Sequence, residues 1–267
     1  MSGSAHPPAR KRFGQHFLEA AWVAKLIASV APASDETFLE VGPGRGALTG
    51  PLAARAARVI AVEIDRDLAR ALSQRLPDLR VVCQDFLETD LEALLADEHL
   101  PVRVVGNLPY NVASPILFHL LGAADSGRRI RDATVMLQRE VADRVLAQPG
   151  SREHGSLALQ IGLHAQVERV LSLPPGAFRP PPKVRSAVVR LRFRPPVAEV
   201  GDAARFERLV RGVFERPRKT LLNALRPVAD AFGHSAPEII ERAGLDGGRR
   251  PGTLSIQEMA RLSRAML

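Results

Sequence analysis

The chain has 267 residues, of which 46% are hydrophobic and 25% are charged, a composition typical of a folded globular protein and not of a disordered one. Its apolar runs are too short to span a membrane, its first residues contain no apolar signal segment, and its single cysteine, Cys83, excludes an internal disulfide. We therefore expect a cytoplasmic protein with no membrane partner.

Positive charge is concentrated towards the C-terminus. Residues 1–178 contain 19 Lys and Arg against 20 Asp and Glu, whereas residues 179–267 contain 18 against 9. Such an excess predicts a polyanionic partner, nucleic acid above all. The plainer alternative is the heavy use of Arg throughout the chain.

Apolar segments of strand and helix type alternate over the first half of the chain. Strands are predicted at 37–41, 58–62, 79–83, 102–106 and 133–137, and helices at 20–30, 48–57, 68–76, 91–95 and 114–121. This alternation predicts an α/β fold with a doubly wound, mostly parallel, Rossmann-like sheet. Residues 155–166 and 186–193 are expected to close the sheet as an antiparallel hairpin.

Pro195-Pro196 marks a predicted domain boundary. We expect a flexible basic arm over 1–12, the α/β domain over 13–196, and a basic helical domain over 197–267. The first helix of the last domain is expected to begin near Asp202, because apolar residues recur at helical spacing after it: Phe206, Leu209, Val210, Val213 and Phe214.

A glycine-rich turn follows the first predicted strand of the sheet. Gly42, Gly44 and Gly46 can adopt positive φ, and a helix that begins after them would offer unpaired N–H groups. This pattern is typical of adenosine-type cofactor sites in Rossmann-like sheets. A tight strand-to-helix turn without a ligand is the alternative.

Polar residues follow each of the next three strands. Glu63 lies 21 positions beyond Gly42, where an acidic side chain can bind ribose hydroxyls; Asp85 and Asn107 follow the third and fourth strands. Each could be a helix cap. Since ligands bind beyond the carboxyl ends of parallel strands, their shared placement predicts one site.

The segment Asn107-Leu-Pro-Tyr110 indicates chemistry on an aromatic amine. The Asn107 side-chain oxygen and the Leu108 carbonyl can accept both hydrogens of an adenine amine, whose lone pair is otherwise delocalised into the ring. Pro109 fixes the turn, and Tyr110, the only tyrosine, can stack on a base. Catalysis would then rest on positioning and electrostatics and not on a base of tuned pKa.

Seven segments, in order, resemble the ribosomal RNA adenine N6-dimethyltransferases, and the bacterial small-subunit branch in particular. They are residues 11–18, 40–49, 63–67, 107–110, 138–144, 155–157 and 178–184. The resemblance implies a class I methyltransferase sheet of seven strands with a small all-α C-terminal domain. It also implies S-adenosyl-L-methionine as cofactor and, as substrate, two adjacent adenosines in the 3′-terminal hairpin loop of 16S rRNA in the small ribosomal subunit.

The resemblance also assigns site residues, with Glu63 on the ribose, Asp85 on the adenine amine of the cofactor, and Tyr110 and Phe178 on either side of the extruded target base. Phe178 could instead be a packing anchor. The full cofactor set is His16, Leu18, Gly42, Gly44, Glu63, Asp85 and Asn107, and the expected RNA contacts are Arg208, Arg211, Arg218 and Lys219. A monomer without a metal ion is expected.

Three residues depart from the family pattern. His16 stands where Asn is frequent, Arg185 where Asp is usual, and Pro217 where a basic residue is common. A histidine at position 16 can make the cofactor contact depend on pH. Arg185 is expected to alter the local loop contacts, and Pro217 to remove one RNA contact. Pro217 is also expected to break the surrounding helix.

Three other functions fit parts of the sequence. A nicotinamide dehydrogenase would share Gly42-x-Gly44-x-x-Ala47 but would leave Asn107–Tyr110 unexplained. A non-catalytic RNA-binding assembly factor would not need the intact Asn107 segment. Within the family, the large-subunit adenine methyltransferases of the macrolide-resistance type are the alternative.

Overall fold

A computed structural model describes residues 16–98, 101–127 and 129–267. The predicted basic arm, residues 1–12, lies outside the described residues. The chain divides into two units: the first contains the described residues up to Ala142 together with Val167–Phe193, and the second contains Asp143–Gln166 and Arg194–Leu267. Among the described residues, no helix is both long enough and apolar enough to span a membrane.

The described residues form nine strands: β1 (Phe17–Leu18), β2 (Thr37–Val41), β3 (Arg58–Glu63), β4 (Arg80–Cys83), β5 (Val102–Asn107), β6 (Ile130–Gln138), β7 (Ala165–Leu173), β8 (Phe178–Arg179) and β9 (Ser186–Phe193). Seven of them form one sheet in the order β4-β3-β2-β5-β6-β9-β7, while β1 and β8 form a separate antiparallel pair. The first five strands of the sheet are parallel to their neighbours, and β9 is antiparallel to β6. The predicted Rossmann-like, mostly parallel sheet is therefore confirmed.

Helices flank this sheet: α1 (Ala20–Val30), α2 (Thr49–Ala53), α3 (Arg66–Arg75), α4 (Leu91–Leu94), α5 (Ala113–Gly127) and α6 (Arg139–Val145). The helix after the glycine turn is much shorter than the predicted 48–57. Gly50 and Pro51 are both poor helix formers, and only one turn of helix forms around them. A helix dipole therefore contributes less at the glycine turn than the sequence suggested.

The second unit is helical and has its own core. It contains α7 (Ser156–His164), α8 (Ala203–Phe214), α9 (Leu221–Ala231), α10 (Ala236–Arg242) and α11 (Ile256–Arg264). The predicted apolar face of α8 is confirmed, because Phe206, Leu209, Val210 and Val213 are all buried. The helix ends at Phe214, ahead of Pro217.

The predicted strand at 155–166 is wrong. Residues 156–164 form α7, whose Leu159 and Leu163, four residues apart, are buried in the core of the helical unit. The sheet strand begins only at Ala165. The boundary that placed 13–196 in one domain therefore differs from the structure, where residues 143–166 belong to the helical unit.

The net positive charge is shared between the two units and is not confined to the helical one. The second unit carries 15 Lys and Arg against 11 Asp and Glu, a net +4, which leaves +4 for the rest of the chain. The excess of positive charge over residues 179–267 is divided between the two units. Five of its basic residues belong to the first unit: Arg179, Lys183, Arg185, Arg190 and Arg192. The helical unit is therefore basic but does not hold the whole excess.

Gly106 allows the two central strands to approach each other closely. It pairs with Val41 between β5 and β2, and a Cβ atom at this position would lie 2.6 Å from the carbonyl oxygen of Val41 and 3.3 Å from Leu108 Cδ2. Neither a backbone oxygen nor a fully buried leucine can move aside easily. Glycine is therefore required at the point where the strands deliver Gly42 and Asn107.

We expect Gly106→Ala to lower the free energy of unfolding by about 1–3 kcal/mol, because the added methyl overpacks the strand pair. Urea denaturation measures this change. The matched control is Gly122→Ala on α5, where a Cβ atom meets nothing within 4 Å. That change should be neutral or stabilising by up to about 1 kcal/mol. Equal effects of the two substitutions would contradict the packing argument.

Candidate active site

A cavity of about 270 Å³ opens at the carboxyl ends of β2, β3 and β5, where the strand order reverses. This is the position at which open α/β sheets bind ligands. Its walls include all but one of the predicted cofactor and catalytic residues: His16, Leu18, Gly42, Gly44, Glu63, Asp85, Asn107, Leu108, Pro109 and Tyr110. The exception is Phe178.

The glycine turn is fixed by the carboxylate of Glu63. Gly42, Gly44 and Gly46 have φ values of 66°, 58° and 74°, as predicted for the turn. The Gly44 N–H donates to Glu63 Oε2 at 2.8 Å, and the Asp65 N–H donates to Oε1 at 2.9 Å. Burial raises the pKa of Glu63, and these backbone donors oppose the rise.

Glu40 is a second buried carboxyl group in the cavity wall. It is the last residue but one of β2, is 1% exposed, and its Oε2 has no hydrogen-bond partner in the described part of the chain. Burial raises the pKa of Glu40 to about 7, the charge of Glu63 adds to the rise, and the Thr49 hydroxyl opposes it. A buried carboxylate oxygen without a partner in the described residues suits a cationic ligand group.

Asp85 both caps a turn and lines the cavity. Its Oδ1 accepts from the Leu87 N–H at 2.9 Å at the start of the short 3₁₀ turn Phe86–Glu88. Its Oδ2 accepts no hydrogen bond from the residues that the structure describes, and it remains available to a ligand. The capping and ligand-binding interpretations of Asp85 are therefore compatible.

The Asn107 side chain is oriented by the N-terminal strand. Its Nδ2 donates to the backbone carbonyl of His16 at 2.8 Å. With the amide nitrogen engaged, the side-chain oxygen remains as a free acceptor within the described residues. The next residue, Leu108, is fixed by its N–H, which donates to the carbonyl of Met136 at 3.2 Å.

Tyr110 is held from two sides. Its hydroxyl lies 2.8 Å from Ser186 Oγ, and its ring stacks on His16 with centroids 5.7 Å apart and planes 26° apart. Burial raises the pKa of Tyr110, with Ser186 opposing the rise, so the phenol stays neutral near pH 7. A neutral, anchored ring serves as a stacking surface and not as a proton acceptor.

The predicted stacking role of Phe178 is not supported by this structure. Phe178 pairs with Leu18 between β8 and β1, is 0% exposed, and packs in the apolar core that includes Leu26 and Ala177. The strand pairing turns its ring into that core, so the packing-anchor alternative describes it. His16 is the ring that faces Tyr110.

The predicted RNA-contacting residues all lie in the helical unit and are exposed. Arg208 lies over the Phe232 ring at 4.5 Å, and Arg211 pairs with Glu207 at 2.7 Å. Arg218 and Lys219 lie in the turn between α8 and α9. All four charged side chains therefore lie at the surface.

Sequence reasoning gave no role to Glu40 or Ser186. Glu40 carried a usable signal, because a carboxylate within the apolar strand Thr37–Val41 is costly unless it has a partner or a function. Ser186 carried none, since its contact with Tyr110 joins residues 76 positions apart.

We expect Glu40→Gln to make the ligand-free protein more stable at alkaline pH. The unfolded carboxyl group ionises near 4.5 and the folded one near 7, so the unfolded state holds fewer protons between these values and stability falls as pH rises through them. The variant should gain about 3 kcal/mol over wild type at pH 8.5 and much less at pH 5. Urea unfolding at the two pH values measures the gain, and a pH-independent difference would contradict it.

The chain matches the family model described as ribosomal RNA adenine dimethylase over residues 7–264. Two relatives described as ribosomal RNA small subunit methyltransferase A are similar over nearly their whole length. The Acinetobacter baylyi protein is 42% identical, and the Anaeromyxobacter dehalogenans protein is 44% identical; in both cases 97% of this chain and 93% of the relative are covered.

Solved structures share the fold. A dimethyladenosine transferase from Plasmodium falciparum superposes with a TM-score of 0.75 at 23% identity, covering 92% of this chain and 96% of that one. The 23S rRNA methyltransferase ErmE superposes with a TM-score of 0.65 at 28% identity, covering 94% and 99%. Given the match over almost its entire length, the chain belongs to the ribosomal RNA adenine dimethylase family.

Proposed function

We propose that this chain is an S-adenosyl-L-methionine-dependent rRNA adenine dimethyltransferase of the small ribosomal subunit. It transfers methyl groups to the exocyclic N6 of two adjacent adenosines in the 3′-terminal hairpin loop of 16S rRNA. The observation that carries the proposal is the bond from Asn107 Nδ2 to the His16 carbonyl, because it leaves the Asn107 oxygen free for an amine.

The chemistry required of the site is to make a poor nucleophile reactive. An adenine amine that donates both hydrogens to Asn107 Oδ1 and the Leu108 carbonyl is drawn out of conjugation, and its lone pair is directed at the methyl donor. Holding the two groups in this geometry supplies most of the rate enhancement. The methylated nitrogen is strongly acidic, and its proton passes to water without a tuned base.

The residues of the cavity suit the cofactor. S-adenosyl-L-methionine supplies an activated methyl group when bound. Glu63 would hold its ribose hydroxyls, Asp85 Oδ2 its adenine amine, and Glu40 Oε2 its ammonium group. Two carboxylate oxygens, one on Asp85 and one on Glu40, have no partner among the residues that the structure describes, and they support this assignment.

Tyr110 would hold the target base by stacking, since its hydroxyl is anchored on Ser186 and its ring lines the cavity. The target base must then replace or slide past the His16 ring, which covers Tyr110 at 5.7 Å. The exposed cations Arg208, Arg211 and Arg218, together with Lys219, would bind RNA phosphates elsewhere on the subunit.

The proposal places a monomer in the cytoplasm, where small subunits are assembled. Two other functions remain as outcomes of the test. The large-subunit enzymes share the fold, as ErmE shows, but the relatives of higher identity are small-subunit enzymes. A non-catalytic assembly factor would not require the orientation of Asn107 described above.

The experiment that tests the substrate supplies tritiated S-adenosyl-L-methionine with small subunits that lack the modification, and large subunits in a parallel reaction. We expect N6,N6-dimethyladenosine in the 3′-terminal hairpin of 16S rRNA, as mapped by nuclease digestion and chromatography. Label in large-subunit RNA alone would overturn the subunit assignment. Binding of small subunits without any methylation would favour the assembly factor.

The second experiment tests the role of Asn107. Asn107→Ala should lose about 10²–10³-fold in turnover while its affinity for S-adenosylhomocysteine, measured by calorimetry, changes only modestly. The matched control is Asn223→Ala, which removes an exposed amide on α9, away from the cavity wall, and should lose far less turnover. Normal turnover in Asn107→Ala would mean that the amine is held by other groups.

A further inference from the structure

The segment from Arg179, the last residue of β8, to the start of β9 lies beside His16 and Tyr110, which line the cavity. We call residues 179–185 the rim loop. At one end the Pro180 carbonyl accepts from His16 Nδ1 at 2.8 Å, and at the other the Arg185 carbonyl accepts from the Arg139 N–H at 2.9 Å. Ser186, directly after the loop, contacts the Tyr110 hydroxyl. The loop is therefore fixed beside the ring expected to stack on the target base.

The rim loop is strongly basic for its length. Arg179, Lys183 and Arg185 are all exposed, and the loop contains no acidic residue. Arg179 pairs with Glu19 at 3.0 Å. Lys183 and Arg185 have no ion-pair partner in the described part of the chain, so their charges are available to a ligand.

An unpaired cation at this place has a chemical consequence. When a nucleotide is extruded into the cavity, its base enters and its two flanking phosphates stay outside, at the rim. A guanidinium group binds phosphate oxygens in a planar, bidentate manner, which an ammonium group cannot do.

We infer that Arg185, with Lys183 beside it, binds the RNA phosphates that flank the target adenosine. This inference rests on the proposed function, because it requires an extruded nucleotide in the cavity. It adds an RNA contact in the first unit to those expected in the helical unit. Phosphate contacts beside the target base would help to fix the register and orientation of the RNA at the cavity.

The experiment measures binding of unmodified small subunits at several KCl concentrations. Each phosphate contact contributes about 0.7 to 0.9 to the slope of log K against log salt concentration. Arg185→Gln should reduce the magnitude of the slope by this amount and weaken binding at low salt. Arg185→Lys, which retains the charge, should restore the slope. An unchanged slope in Arg185→Gln would overturn the inference.

The matched control is Arg70→Gln on α3, which removes an exposed arginine from a helix that leads away from the cavity rim. This variant should leave the slope unchanged. An equal loss of slope in both variants would mean that Arg185 acts only through the general surface charge, which would overturn the inference. Affinity for S-adenosylhomocysteine should be unchanged in Arg185→Gln. Methylation by the wild-type protein is measured on the same subunits, and its absence would count against the proposed function and not only against Arg185.

Discussion

The parallel pairing of β2 with β5 is the constraint on which the site depends. Val41 and Gly106 are partners in this pairing, so the residues that follow them, Gly42 and Asn107, lie side by side at the carboxyl ends of the two strands. The strands after β2 run to one side and those after β5 to the other, which opens the cavity between them. The glycine turn and the Asn107 segment are 65 positions apart in sequence and meet only because of this register.

Carboxylates at the amino ends and at the carboxyl ends of the strands have pKa values shifted in opposite directions. Before β2, the Glu36 carboxylate accepts from the Ala33 N–H and pairs with Arg131 and Arg103. Burial acts to raise the pKa of Glu36, but these three partners outweigh it and the pKa is lowered. At the carboxyl ends of the strands, Glu40 and Glu63 have no cationic partner within the described ranges, and burial raises the pKa of both. The first arrangement pairs its charges within the fold, whereas the second leaves acceptors for a ligand, as expected of a functional site.

The sequence predicted what depends on local pattern. Strand runs, the glycine turn and the polar residues at strand ends follow from residue type and spacing, and the structure brings these side chains to one cavity. It did not predict contacts made by distant segments. Leu159 and Leu163 suit a buried strand or a buried helix equally well, and only the core of the helical unit decides between them. The resemblance to the family placed Phe178 beside the target base, but its pairing with Leu18 decides its position.

The pairing of β1 with β8 has a further effect on the site. Because β1 is held against β8, His16 lies at the end of a fixed strand, with its carbonyl on Asn107 and its ring between Tyr110 and Pro180. One residue therefore orients the amide that receives the target amine and covers the ring that receives the target base. Movement of β1 would displace the Asn107 amide and uncover the Tyr110 ring together. The positions of the amine-binding and base-stacking groups are therefore coupled.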